Sequence, residues 1–511
     1  MYSMRQMICS RAGRVSRLPG NITIFATIGS LLVSQVLFTF LESARLIELR
    51  KVARLYAATS TESIFAAYSQ PLWEEYSLLG YEHTTRGVEG DLADLGAYDT
   101  DTLSTNLVTP ALASAQVTGY TLMTDDEGRV FEEAVTDYII QNLGYEMINS
   151  FQNYESAVND LEEDSDGDLN YYMDSVEDAI ELMKEGLADT SGSGGGHSIS
   201  YRTLSLEEDL LDNTITNPLD LMAQSVRYGY IGFILEDPEL VSSNSVTSSE
   251  LLSRRELEEG EDPKTYTMNI WNTLSMAYFI DRHYGTYLNP GEDTALAYEQ
   301  EYILNGWTTD RANLEATIYR ILVLRIAANI TSIAADEDKT EQVKAFGEVV
   351  ADLIGEPDLK DVFAYAVTVS WAYIEGVLDL RSLMQGKTIA LIKDEEEWTT
   401  ELLALPLYYY GGSYAKECDS GLTYENYLQT FLFMEGEKNK NYRCMDLIEQ
   451  NIRQATEYED FQMDHIACEL RVTYTYEDKL VFLSLVNLVS HSYSSFQYEV
   501  SEEYSYLEES G

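Results

Sequence analysis

At 511 residues the chain is long enough for about three ordinary domains, and its 45% hydrophobic content lets most of it bury a core, which excludes a chain disordered throughout. Its 87 Asp and Glu against 33 Lys and Arg leave a formal charge of -54. That excess opposes contact with DNA, RNA or anionic lipid, because phosphate is bound by Lys and Arg. The acid reads as a solvated surface that keeps copies apart and holds divalent cations loosely.

Residues 1–20 form a basic leader with Arg5, Arg11, Arg14 and Arg17 and no acid. Residues 21–41 carry no charge and span about 31 Å as a helix, the thickness of a bilayer core. The charge difference across this span puts the leader in the cytoplasm and the rest of the chain outside the cell membrane, as a single-pass protein. A cleaved signal peptide fits less well: the apolar run is long, and Glu42-Ser43-Ala44-Arg45 offers no A-x-A site. Thr23, Thr27, Ser30 and Ser34 lie along one stripe of the span, where they either pack against another helix or bond to their own backbone.

Apolar positions continue at helical spacing through Leu46, Leu49, Ala53 and Tyr56, so residues 42–70 are expected to prolong the membrane helix as a stalk ending before Pro71. Residues 71–290 read as a mixed helical region. It holds an acidic hairpin and a Gly/Ser loop at 150–200, and an exposed loop from Ser242 to Lys264. Residues 291–400 are the helical core: Leu314, Ile318, Ile321 and Leu322 recur at helical steps, as do Phe363, Val367, Trp371, Ile374 and Leu378. Residues 401–511 change period. Ile466 to Tyr476 and Phe496 to Val500 alternate as half-buried strands. The expected fold is therefore mainly α, with a smaller C-terminal β or α+β element and an N-terminal transmembrane helix that extends into the ectodomain.

Several segments resemble a known family. They are Gly20-Asn21-Ile22-Thr23-Ile24-Phe25 leading to Leu41-Glu42-Ser43-Ala44-Arg45, then Pro71-Leu72-Trp73-Glu74-Glu75-Tyr76 and Asn217-Pro218-Leu219. Further on come Tyr298 through Gly306, Asn313-Leu314, Trp371 through Gly386, and Met445-Asp446-Leu447-Ile448-Glu449. Together these resemble an uncharacterised family of single-pass surface proteins from Gram-positive bacteria, linked to tight-adherence (Tad/Flp) pilus loci. The membrane end is similar to the minor pilin-like TadE/TadG proteins. The resemblance implies a role at that pilus or secretion machine, with pilus proteins met through the transmembrane and stalk helix, and no catalytic residue to carry over. A pilin-type cleavage would fall between Gly20 and Asn21, although Phe25 stands where type IV pilins carry a glutamate.

Chemistry-bearing motifs are sparse. Glu162, Asp164, Asp166, Asp168 and Asn170 fall at calcium-loop spacing around Gly167, but Met173 occupies the closing position, so a Ca2+ site competes with a plain solvated turn. Glu375 and Asp379, one helical turn apart, are expected to pair with Arg381 or Arg325 rather than to hydrolyse a glycoside. Arg325, inside an apolar helix, is expected to find Glu299 or Glu301. Cys418, Cys444 and Cys468 cannot all pair with one another, and no His or Cys cluster has zinc spacing. The expectation is a non-enzymatic surface component of a Tad-like apparatus. An independent adhesin or cell-wall-binding module stands second and an extracellular hydrolase third.

Overall fold

Pro19 and Pro71 bracket a stretch without proline, and within it Gly20–Phe65 form one helix, α1. The computed structural model describes residues 20–82, 108–143, 229–483 and 495–507, so the acidic run with Glu162, Asp164, Asp166, Asp168 and Asn170 lies outside the described residues. The described residues are 57% helical with a small sheet. It divides into two units: residues 1–68, 81–120 and 469–505 in the first, and 69–80, 121–468 and 506–511 in the second.

In the first unit α1 changes character along its length. Its most apolar stretch is 0% buried, with Phe25, Leu31, Val33 and Phe40 all exposed. Thr27 bonds to the Thr23 and Ile24 carbonyls, so this hydroxyl satisfies itself within its own helix. From Glu42 onward one face is buried, through Leu49, Ala53 and Ala57. That face lies on an antiparallel sheet. Strand β3 (Ile466–Lys479) pairs with β4 (Ser495–Ser505) from Glu469↔Ser505 to Lys479↔Ser495. It also pairs with β2 (Leu112–Leu122) and the two-residue β1 (Tyr81–Glu82).

Alternation along β3 turns Val472, Tyr474 and Tyr476 to the buried side. The Tyr474 hydroxyl meets Thr61 Oγ1 at 2.8 Å and the Tyr476 hydroxyl donates to the Ala53 carbonyl at 3.2 Å. Alanines at 53 and 57 let the helix sit this close. Glu42, one residue past the apolar run, is buried and accepts N–H groups from Phe482 and Leu483, at 2.6 and 3.1 Å, and from Arg45 at 3.0 Å. Burial alone would push its carboxyl up; these donors outweigh it and hold the group below the usual carboxylate range.

The second unit is helical. Helix α2 (Gln70–Tyr76) takes Pro71 in its first turn, where a missing N–H costs nothing. Thus Pro71 opens the next helix and α1 stops at Phe65. Helices α3 (Asp125–Leu143), α4 (Ile231–Ile234), α5 (Ile270–His283) and α6 (Glu299–Asn305) follow. Then come α7 (Asp310–Ala335), α8 (Glu337–Ile354) and α9 (Lys360–Leu383). Last are α10 (Leu405–Tyr410), α11 (Tyr424–Met434) and α12 (Glu437–Ile452). Side chains of Asn269, Thr309, Asp336 and Thr423 cap the helices that follow them. At Gly347 a Cβ would stand 2.7 Å from backbone atoms of Lys360 and Ala364, so glycine sets the close approach of α8 to α9. Helix α7 is apolar and long enough to cross a membrane, but 72% of that window is buried, which makes it a core helix.

Two local expectations are corrected. Strand β2 escapes notice in the sequence because its inward positions include Ala115 and Gly119, which carry little hydrophobic signal. The 242–264 segment is not a free loop: Leu251 and Leu252 are buried in the core. Replacing Ala53 by Leu should overpack the helix–sheet seam and lower stability by about 1–3 kcal/mol. Denaturant unfolding of the full chain in detergent measures this, and an unchanged midpoint would contradict the packing described.

Candidate functional site

The most charged buried place in the second unit is centred on Asp379 of α9. Arg325, on the facing side of α7, donates Nε and Nη2 to Asp379 Oδ2 at 2.9 and 2.8 Å, and Asn329 Nδ2 adds a third bond at 2.9 Å. Lys393 Nζ reaches Asp379 Oδ1 at 2.5 Å and also bonds Glu375 Oε1. Glu375 further accepts the Thr399 and Thr400 N–H groups and the Thr400 hydroxyl. Arg325 Nη1 closes the set on the Ala390 and Leu391 carbonyls and the Tyr427 hydroxyl.

Arg325, Asp379 and Glu375 are fully buried, and Lys393 has its whole side chain covered. Two acids and two bases balance, and every carboxylate oxygen is engaged. Burial, the largest single influence on Asp379, pushes its carboxyl up. The Arg325 and Lys393 charges overcome this and hold it below its ordinary range. Chemically the cluster is closed: it joins α7, α9 and the 390–400 segment, and none of its oxygens faces an open cleft.

The pairing agrees in part with the sequence expectation. Asp379 meets Arg325, one of the two partners expected for it, but Arg325 does not reach Glu299 or Glu301, and Arg381 pairs with no acid among the described residues. Arg381 donates instead to the backbone carbonyls of Phe233, Tyr408, Tyr409 and Ser413. Lys393 went unnoticed because it precedes the run Asp394-Glu395-Glu396-Glu397 and reads as part of a solvated charge cluster.

A second group of buried acids gathers around α6, and among the described residues no Lys or Arg is bonded to it. Glu299 accepts from the Gly285 N–H and from Asn451 Nδ2, at 2.9 and 2.8 Å. Glu301 accepts from the Tyr287 N–H and the Tyr424 hydroxyl, at 2.8 and 2.6 Å, and its Oε2 is buried with no hydrogen-bond partner among the described residues. Asp310 takes the Ala297 and Tyr298 N–H groups and the Ser242 hydroxyl. Burial pushes Glu299 and Glu301 each up to about 7, against the hydrogen bonds that favour their charged forms. Nearby, Asp446 holds Ser253 and the Tyr302 hydroxyl, while Arg255 bridges Glu449 and Asp464. These contacts pin the 242–264 segment.

Among the described residues no group of His, Cys, Asp or Glu is arranged to hold a metal ion. Among the described residues no disulfide joins Cys418, Cys444 or Cys468. His283 packs on Tyr76 and Phe279, and burial, with Arg282 adding to it, lowers it to about 4, so it stays neutral. The Gly20–Asn21 bond lies in the first turn of α1.

These features define a helical unit closed on internal ion pairs and a helix-on-sheet unit carrying an apolar helix. The family of unknown function DUF5702 matches residues 208–478, and the chain belongs to it. No curated protein and no solved structure matches. The matched range holds Tyr298 through Gly306, Trp371 through Gly386 and Met445 through Glu449, the segments that supply Glu299, Glu301, Glu375, Asp379 and Asp446.

Two outcomes are expected. Asp379→Asn leaves Arg325 and Lys393 buried with one acid between them and should cost about 3–5 kcal/mol in denaturant unfolding. Glu299 and Glu301 hold protons in the folded state that the unfolded chain releases above about 4.5, so their contribution to stability falls as pH rises from about 4.5 to 7. The double variant Glu299→Gln/Glu301→Gln should therefore have a flatter stability profile than the wild type across that window. Parallel profiles would contradict the assignment.

Proposed function

We propose that this chain is a non-enzymatic, membrane-anchored surface component of a Tad-like pilus or secretion apparatus, with a structural or assembly role like that of a minor pilin. One observation carries the reading. A single unbroken helix is bare and apolar over its first half, and over its second half it is packed on an antiparallel sheet. A helix built for two solvents in this order anchors a folded unit at a bilayer, and its uncovered half is free to pack with partner helices in lipid.

The leader would stay in the cytoplasm and both units would lie outside. In that direction Arg5, Arg11, Arg14 and Arg17 stay in the cytoplasm, while the four cations that follow the span within thirteen residues of Leu41 lie outside. The large negative charge suits a soluble extracellular body that does not self-associate nonspecifically. A second reading, an independent adhesin or cell-wall-binding module, draws on the exposed Trp271, Trp307, Leu403, Leu407 and Tyr410 of the second unit.

Expected outcomes are definite. The chain stays with membranes after a carbonate wash, and deletion of residues 21–41 releases it. An impermeant thiol reagent labels the half-buried Cys418 from outside intact cells, and labelling only after lysis would reverse the orientation. Mass spectrometry of the extracted N-terminus separates a chain beginning at Asn21, cut as a pilin, from one beginning at Met1. Loss of the gene should impair pilus assembly, and full assembly without it would remove the apparatus role.

A further inference from the structure

We propose that the membrane-proximal stalk of α1 is an anionic-lipid contact, in which Arg50, Lys51 and Arg54 engage the phosphate headgroups of the bilayer that residues 21–41 cross. The proposal rests on the membrane-anchored reading above and adds a lipid preference to it.

Whole-chain charge conceals a segregation. Residues 1–65 hold eight Lys and Arg and three Asp and Glu, a net of +5, which leaves -59 for the rest. Half of those eight cations lie in the leader. The other half are Arg45, Arg50, Lys51 and Arg54, all within thirteen residues of Leu41.

Their placement on the helix separates them. Arg45 is committed to Glu42 and to the Lys479 carbonyl. The other three are exposed and form a stripe that starts at the edge of the face buried through Leu49, Ala53 and Ala57 and runs away from it: Arg50 borders that face, Arg54 follows one turn on, and Lys51 lies on the far side. Exposed Ile47 and Leu55 flank them at 60% and 64%. Arg54 makes no hydrogen bond or ion pair among the described residues. Lys51 has only an open pair with Glu48 at 3.5 Å, the kind of surface contact that binds weakly. The Arg50 guanidinium sits 5.9 Å from the Tyr498 ring centre, a stacking contact that steadies the side chain without using its N–H groups.

Distance along the helix supplies the occupant. Because α1 is continuous from the apolar span, Arg50 and Lys51 stand about 14–15 Å beyond Leu41 and Arg54 about 20 Å. Helical side chains lean toward the N-terminus, here back toward the bilayer, and Lys and Arg stems reach to the interface. The headgroup layer is itself about 5–8 Å deep, and the field of its phosphates extends a further screening length of about 8 Å. Arg50 and Lys51 therefore fall inside the reach of an anionic surface, and Arg54 meets its outer edge through the bilayer-directed lean of its side chain, while the acidic remainder of the chain is repelled by it.

The test uses the full chain, delipidated in detergent and titrated with phosphatidylglycerol or phosphatidylcholine under native mass spectrometry. The expected result is preferential retention of phosphatidylglycerol, weakened by added salt and reduced about tenfold in R50Q/K51Q/R54Q. The charge-keeping R50K/R54K should retain it, as should most of the leader variant R5Q/R11Q/R14Q/R17Q. Equal retention of the two lipids, or a preference lost only with the leader arginines, overturns the contact. So does a stalk variant that changes association between copies but not lipid preference, since that makes the stripe a protein–protein face. Carbonate extraction runs alongside. A chain released by carbonate loses both the anchor and the contact, whereas one that stays in the membrane without lipid preference loses the contact alone.

Discussion

Asp379 is a carboxylate taken fully out of water, and the helical unit is organised around keeping it charged. Removing such a group from solvent costs several kcal/mol, and one cation seldom repays that. Here the repayment comes from three directions at once: Arg325 from α7, Lys393 from the segment after α9, and Asn329 one turn beyond Arg325. Glu375 then anchors the same lysine together with the backbone of Thr399 and Thr400. Moving α7 against α9 by a fraction of a turn would leave an uncompensated charge in the core. The cluster thus specifies register more than it adds stability.

The acids around α6 solve the same problem differently. Glu299 and Glu301 meet backbone N–H groups, an amide and a tyrosine hydroxyl, with no cation. Burial raises both toward neutrality, so near pH 7 they hover between holding and losing a proton. They serve as acceptors that tie the loops at 285–298 to α6, α11 and α12. One unit therefore buries acid in two ways, by matching it with cations and by letting it take up a proton.

The helix-on-sheet unit faces another constraint. Its helix must be apolar on all sides in one half and on a single face in the other. Glu42 marks the change. It is the first charge after the span, and it is turned inward onto the backbone of Phe482 and Leu483. Beyond it, small residues at 53 and 57 admit the tyrosines of β3, and the outward face becomes cationic.

Much of this was legible without coordinates. The apolar run at 21–41, the continuing helical period in the stalk, the helices around Leu314–Leu322 and Phe363–Leu378, and the alternating strands at 466–476 and 496–500 are all local patterns. A local pattern is visible because residues a few positions apart share one face. The buried charges were legible only as residues with unusual surroundings: Arg325 in an apolar helix, and Glu375 and Asp379 one turn apart. Arg325 was among the partners expected for Asp379, but the choice between it and Arg381 was open and Lys393 went unseen, since one acid is 54 residues from Arg325 and the lysine hides in a charge run. Strand β2 and the pinned 242–264 segment were missed because Ala, Gly and Ser carry no strong periodic signal.

By itself, then, the sequence determined the long helices, the two C-terminal strands and that the first helix is apolar enough for a membrane, because those properties depend on neighbours along the chain. Tertiary structure alone decided which apolar helix is covered, which acid each cation meets and which carboxylates are driven toward neutrality. Those outcomes follow from distance and exclusion of water, and both exist only once remote segments have packed.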